Sequence, residues 1–243
     1  MKPARRQPPI TSVRIPRSAR GIVVFGGSFD PPHRWHVKVA SAVRRRVFGS
    51  GGWIVFVPAA QSPLKSREPA ASPVDRVAMV RLATRRLSNA MVWTDEVDRA
   101  SAWRGPSYTV DTLERLGTAL HRAVPLRLLI GADQVSRFGQ WKECGGILAR
   151  AMPAVVWRPP VTGPLALRRV LGRSARGGEA AEVRFEFWRG LVVPAPISPM
   201  SSTRIRRLIA RMHRSGRVPA ALGRMLDPAV LRYIRERRLY APR

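Results

Sequence analysis

A chain of 243 residues is long enough for one substantial core, and its 45% apolar content is that of a globular protein. No run approaches the roughly 18 uninterrupted apolar residues of a membrane helix. The basic, proline-rich N-terminus lacks the apolar stretch of a secretory signal, and the single cysteine, Cys144, excludes an internal disulfide framework and points to a reducing cytoplasm. Charge is the unusual feature: 44 Lys and Arg against 15 Asp and Glu give +29. Such a field attracts polyanions. Nearly all of it is arginine, which rises here together with Ala, Gly and Pro, as a GC-rich genome imposes. Compositional drift is therefore the first reading of the charge and nucleic-acid binding the second.

Residues 1–20 hold six basic residues, four prolines and no acid, which predicts a basic, disordered arm ahead of one domain over 21–243. The continuous apolar run Ile22–Phe25 predicts a buried strand over 21–26, followed by a helix from about Arg34 to Phe48. Residues 53–57 read as a second strand stopped by Pro58. Ser72-Pro73 opens a helix, with Ser as N-cap and Val74, Ala78 and Leu82 on one face. A third strand is expected at 91–93. Ser107 then caps a helix striped by Val110, Leu113, Leu116 and Leu120. Residues 126–130 predict a strand ending at Gly131-Ala132-Asp133, and 154–157 another, stopped by Pro159-Pro160. The Gly, Pro and Arg of 158–182 predict a surface excursion. A last strand at 191–193 and two helices, near 203–212 and from Asp227-Pro228 to about 238, complete the chain. Strands alternating with helices define an α/β fold, a Rossmann-like doubly wound parallel sheet with C-terminal helices, whose ligands bind at the carboxyl ends of strands.

The chemistry gathers at such ends. Gly26-Gly27-Ser28-Phe29-Asp30-Pro31-Pro32-His33-Arg34-Trp35-His36 lies where a strand stops and a helix begins. A helix N-terminus offers unpaired N–H groups and partial positive charge, glycines admit close backbone approach, and imidazoles three apart share a helical face. Two imidazoles beside a phosphate cradle suggest chemistry at phosphorus. The alternative of a metal site lacks partners, since only His121, His213 and Cys144 remain and none has motif-like spacing. Ser201-Ser202-Thr203, with Arg206 one turn on, reads either as an ordinary N-cap or as a second anion site.

These residues are similar to known blocks. G-G-S-F-D-P-P-H-x-x-H resembles the phosphate motif of the HxGH nucleotidyltransferases. Gly105–Leu113, Leu129–Asp133 with Phe138 and Trp141-Lys142, Ser201–Arg206, and the ending Val230–Ile234 with Leu239-Tyr240 resemble, in order, blocks of the bacterial nicotinate-mononucleotide adenylyltransferase family. The resemblance runs from about residue 21 to 240. It implies an enzyme that transfers AMP from ATP to nicotinate mononucleotide, giving nicotinate adenine dinucleotide and pyrophosphate in NAD synthesis. It implies Mg²⁺ carried on the phosphates rather than in a protein cage. It assigns His33 and His36 to catalysis; Gly26, Gly27, Ser28, Phe29, Asp133, Ser201, Ser202, Thr203 and Arg206 to ATP; and Lys65, Tyr108, Thr109, Trp141 and Lys142 to the mononucleotide, with Trp141 stacked on the pyridine ring.

The chain departs from the family pattern in places. Trp35 replaces the Gly of His-x-Gly-His, where the ring either lies against the adenine or crowds it; Trp35→Gly is expected to bind ATP equally or more tightly, and weaker binding would make the ring a contact. Ser28 replaces Thr, Leu64 stands where the family loop has His, and Met200 stands at a usual Ile. Two other readings remain beside the leading one: a sister nucleotidyltransferase, such as one acting on phosphopantetheine, and a catalytically impaired nucleic-acid-binding relative. A membrane partner is not expected.

Overall fold

The computed structural model describes residues 8–61, 68–102, 106–174, 179–197 and 200–242. Five parallel strands, β1 (Gly21–Gly27), β2 (Gly52–Pro58), β3 (Ala90–Val92), β4 (Leu126–Gly131) and β5 (Met152–Val156), form one sheet in the order β3-β2-β1-β4-β5. The helices of the described residues are α1 (Arg34–Phe48), α2 (Pro73–Thr84), α3 (Asp95–Ala102), α4 (Thr109–Leu120), α5 (Ala132–Val135), α6 (Cys144–Arg150), α7 (Pro164–Ser174), α8 (Glu179–Gly190), α9 (Ser202–Ser215), α10 (Ala220–Met225) and α11 (Pro228–Glu236).

The apolar run of β1 is buried on both faces, and the strand's period of two divides it. Ile22 and Val24 join Val55, Val57, Leu128, Ile130 and Trp93 against α4, α6, α7 and α8. Val23 joins Ile54, Phe56, Leu129 and Ala154 against Val39, Ala40 and Val43 of α1. A third cluster lies apart from the sheet, where Met79 of α2 meets Ile205, Ile209, Leu222, Val230 and Ile234 of α9, α10 and α11.

Several expectations are corrected. The disordered arm does not hold for residues 8–20, which lie along the domain. Arg115 makes a bidentate ion pair with buried Asp95, at 2.6 and 2.8 Å, and its Nη2 also donates to the carbonyls of Pro8 (3.3 Å) and Pro9 (3.0 Å). Thr11 donates its N–H to Asp95 at 3.0 Å and accepts the indole N–H of Trp93 at 2.9 Å, while Ile10, Val13 and Ile15 pack on the core. The supposed excursion over 158–182 instead contains α7 and the start of α8. These helices bury Leu167 and Leu171, then Phe185 and Trp188, at helical spacing. Residues 191–193 make only an isolated bridge, Val155 to Val192, rather than a strand. The helix expected to be capped by Ser107 has Tyr108 as its N-cap. In α2, Val74 is 73% exposed and the buried face carries Arg76, Val77, Met79 and Val80. A buried arginine in that face hides its periodicity from a hydropathy reading.

Removing residues 8–20 together with what precedes them would strip three apolar side chains and the capping carbonyls of Arg115 and Trp93. The expected loss of unfolding free energy is about 2–4 kcal/mol, read from urea midpoints of the full and shortened chains.

Candidate functional site

The chain leaves β1 toward β2 on one side and later adds β4 on the other, so the sheet's topological switch point lies between β1 and β4. Two adjoining cavities open there, of about 570 and 310 Å³. They share the β1 end Phe25–Ser28, the β4 end Leu129–Gly131, and Arg158.

The larger cavity brings together Gly26, Gly27, Ser28, Phe29, His33 and His36 from the β1–α1 connection and Ser201, Ser202, Thr203 and Arg206 from the start of α9. These segments are joined directly across 171 residues of sequence, since Ser202 Oγ donates to the Pro31 carbonyl at 3.1 Å. Ser201 caps α9 by accepting the Arg204 N–H at 3.3 Å. Thus two helix N-termini face one space. Phe29 turns the chain with φ of 47°, a left-handed conformation uncommon for a non-glycine residue, and its ring is buried against Phe25, His36 and Phe56.

Asp30 fixes this arrangement, and the sequence reading did not single it out. Its buried carboxylate accepts the N–H groups of Ala70 (2.8 Å) and Ala71 (3.1 Å) and the Tyr240 hydroxyl (2.7 Å). Arg206 Nη1 donates to the Asp30 carbonyl at 2.6 Å and lies 3.4 Å from the carboxylate. Burial and the adjacent carboxylate push the Tyr240 hydroxyl's pKa up, so it stays a donor. Beneath the loop, the fully buried guanidinium of Arg76 donates to the carbonyls of Ser28 (2.9 Å), Ala59 (2.6 Å) and Ala60 (3.3 Å).

The two imidazoles stack with centroids 3.7 Å apart. The His33 N–H donates to His36 Nδ1 at 3.1 Å. His36 Nδ1 is therefore an acceptor, which leaves Nε2 as the ring's N–H donor. Burial, reinforced by the positive charge of Arg158, pushes the His33 pKa down from 6.5 to about 4. His33 Nδ1 is buried without a hydrogen-bond partner among the described residues.

Tyr108, Thr109, Trp141 and Lys142 line the smaller cavity together with Asp133, which stands there rather than among the groups of the larger one. Asp133 accepts from Gln134 at 2.9 Å and pairs with Arg158 at 3.7 Å. Gly131 makes this possible, because a Cβ there would lie 2.3 Å from the Asp133 carboxylate and 2.8 Å from Arg158 Cδ. Trp141 rests on Phe138 at 5.3 Å, and Lys142 sits 4.9 Å from the Tyr108 ring centre and 3.1 Å from Asp111. Glu96, also unanticipated, lines this cavity and accepts the Thr112 hydroxyl at 2.6 Å; burial raises its pKa. Lys65 lies outside the described residues. No composition signal marks Arg158 or Glu96, since each acquires its place through long-range packing.

Open parallel sheets hold their ligands where these cavities lie, and helix ends with imidazole and guanidinium groups suit phosphate, so the protein is of the nucleotide-binding α/β class. Residues 24–208 match the cytidylyltransferase-like family, and the chain belongs to it. It is 32% identical over 219 residues to a probable nicotinate-nucleotide adenylyltransferase of Chromobacterium violaceum, covering 89% of this chain and 97% of that one. It is 31% identical over 222 residues to another so named from Neisseria meningitidis, covering 90% and 98%. The fold is shared with Plasmodium falciparum nicotinic acid mononucleotide adenylyltransferase complexed with NaAD, at TM-score 0.61, 16% identity and coverage of 91% and 97%.

The depressed His33 pKa has a definite sign. The unfolded chain takes up this proton near pH 6.5 and the folded one only near 4, so folding stability falls as pH drops through that window. The loss reaches at most about 3 kcal/mol. His33→Gln is expected to flatten the denaturation profile between pH 6.5 and 4 relative to the native protein.

Proposed function

We propose that this nucleotidyltransferase transfers AMP from ATP to nicotinate mononucleotide, forming nicotinate adenine dinucleotide and pyrophosphate. The observation that carries this reading is the shared wall between the two cavities, made by the β1 end, the β4 end and Arg158. Two nucleotides seated on either side of that wall would meet at their phosphates. The family membership and the relatives' names support the same chemistry. Nothing specific favours a phosphopantetheine substrate or a role confined to nucleic-acid binding.

In this reading the mononucleotide's 5′-phosphate oxygen attacks the α-phosphorus of ATP. The P–O bond to the β-phosphate breaks, and pyrophosphate leaves with the electron pair. No protein nucleophile is needed; alignment and charge stabilisation carry the catalysis. The ATP triphosphate would lie across the amides of Gly26–Phe29 and the start of α9, with Arg206 held by Asp30 and Arg158 balancing charge. Burial and Arg158 favour the neutral form of His33. A triphosphate beside it favours the imidazolium, so binding would load a proton that His33 then shares with the departing phosphates. His36 would donate from Nε2. Asp133 would contact ribose from the smaller cavity, where Tyr108, Thr109, Trp141 and Lys142 would hold the mononucleotide.

A divalent ion supplies further charge neutralisation when bound with ATP. Among the described residues there is no group of three His, Cys, Asp or Glu that could cage it, so its ligands would be phosphate oxygens and water, consistent with Mg²⁺. Among the described residues no helix is long and apolar enough to cross a membrane, and we place this water-soluble chemistry in the cytoplasm.

Pyrophosphate release from purified protein with ATP, Mg²⁺ and each mononucleotide in turn tests the proposal, which fails if nicotinate mononucleotide supports no turnover. His36→Ala is expected to lower kcat by roughly 10²-fold, the scale of one lost transition-state donor. A Cβ on Gly26 meets nothing within 4 Å. Gly26→Ala should therefore keep unfolding free energy within about 0.5 kcal/mol of native while raising the KM for ATP, because the methyl occupies ligand space.

A further inference from the structure

Six of the seven tryptophans fall within the described residues. Trp93 and Trp188 lie in the core cluster under α4, and Trp53, Trp141 and Trp157 pack against it. Trp35 belongs to none of the three hydrophobic clusters. It stands half-buried on the first turn of α1, between His33 and His36 in sequence, and lines the larger cavity. Val39, one helical turn on, lines it too. Leaving so large an apolar surface out of the core forgoes much of its burial energy unless something else covers it.

The part of the ring that remains uncovered is informative. The indole Nε1 is buried and has no hydrogen-bond partner among the described residues, so the cavity meets carbon surface rather than the N–H. Carbon surface is a poor contact for phosphate and a good one for a planar heteroaromatic ring. Lys38 Nζ lies 5.4 Å from the ring centre and further fixes the indole's place. Ser202 and Arg206 line the cavity from α9, while Trp35 and Val39 give it an apolar wall on α1.

We propose that Trp35 is the platform on which the purine base of the nucleotide in the larger cavity stacks, and so a specificity-determining residue of this chain. The proposal rests on the nucleotidyl-transfer reading. It reverses the expectation that Trp35→Gly would bind ATP at least as tightly: the ring is a contact, not an obstruction.

Calorimetric titration of the full chain with ATP, adenosine and inorganic tripolyphosphate tests this in the native protein, Trp35→Phe, Trp35→Leu and Trp35→Ala. Loss of the aromatic face in the Leu and Ala variants should weaken ATP and adenosine on the order of tenfold. Tripolyphosphate should bind all four proteins alike, and Trp35→Phe should retain most of the affinity. In turnover, the KM for ATP should rise while kcat holds. The Leu variant keeps apolar bulk and helix propensity if the Ala variant fails to fold. Unchanged ATP affinity in Trp35→Leu, or an equal loss for tripolyphosphate, overturns the stacking role while native turnover stands. A native protein that neither binds ATP nor turns over overturns the underlying reading as well.

Discussion

A buried carboxylate is costly unless its oxygens are occupied, and Asp30 is buried at the turn between β1 and α1. Its partners are backbone N–H groups at 70 and 71, the hydroxyl of Tyr240 and the guanidinium of Arg206. One side chain thereby pulls the loop before α2, the first turns of α9 and the C-terminal end of the chain onto the mouth of the sheet. The N-terminus of α9 comes to face the N-terminus of α1 because of it, and the larger cavity is the space left between them. The third hydrophobic cluster packs around the same junction, so its helices serve the site by holding α9 in place.

Positive charge at the site is local and largely immobilised, in contrast to the +29 of the whole chain. Arg76 lies fully buried with its two terminal nitrogens donating to three carbonyls, so it contributes charge beneath the loop without exposing a flexible cation. Arg158 borders both cavities and is tied to Asp133. Burial, reinforced by Arg158, lowers the His33 pKa and favours its neutral form. An arriving polyanion changes that balance in the direction of protonation. On the proposed reading the site is organised for an anion in advance, which is the condition for electrostatic catalysis without reorganisation cost.

Residues 8–20 show how composition misleads. Their prolines and arginines read as disorder, yet proline leaves carbonyls uncommitted, and Arg115 takes those of Pro8 and Pro9. In the same way the Gly, Pro and Arg around α7 mask a helix whose buried Leu167 and Leu171 are four apart. In both cases the polar majority faces water and the few apolar side chains do the packing.

The five strands, the helices α1, α2, α4, α9 and α11, the glycine-hydroxyl-imidazole run after β1 and the cap at Ser201 could be read along the chain, because a strand stop, a helix start and a capping hydroxyl are local events that neighbouring residues settle. The parallel, two-sided burial of the sheet was equally open to reading, since an uninterrupted apolar run allows little else. Pairing across distance was not. Asp30 with Tyr240, Arg158 with Asp133, Glu96 with Thr112 and the burial of Arg76 each join residues whose separation in sequence carries no pattern. Trp35 divides the two cases most clearly. Its position beside the imidazoles is written in the chain, but whether its ring enters the core or the cavity depends on which surfaces folding has already covered.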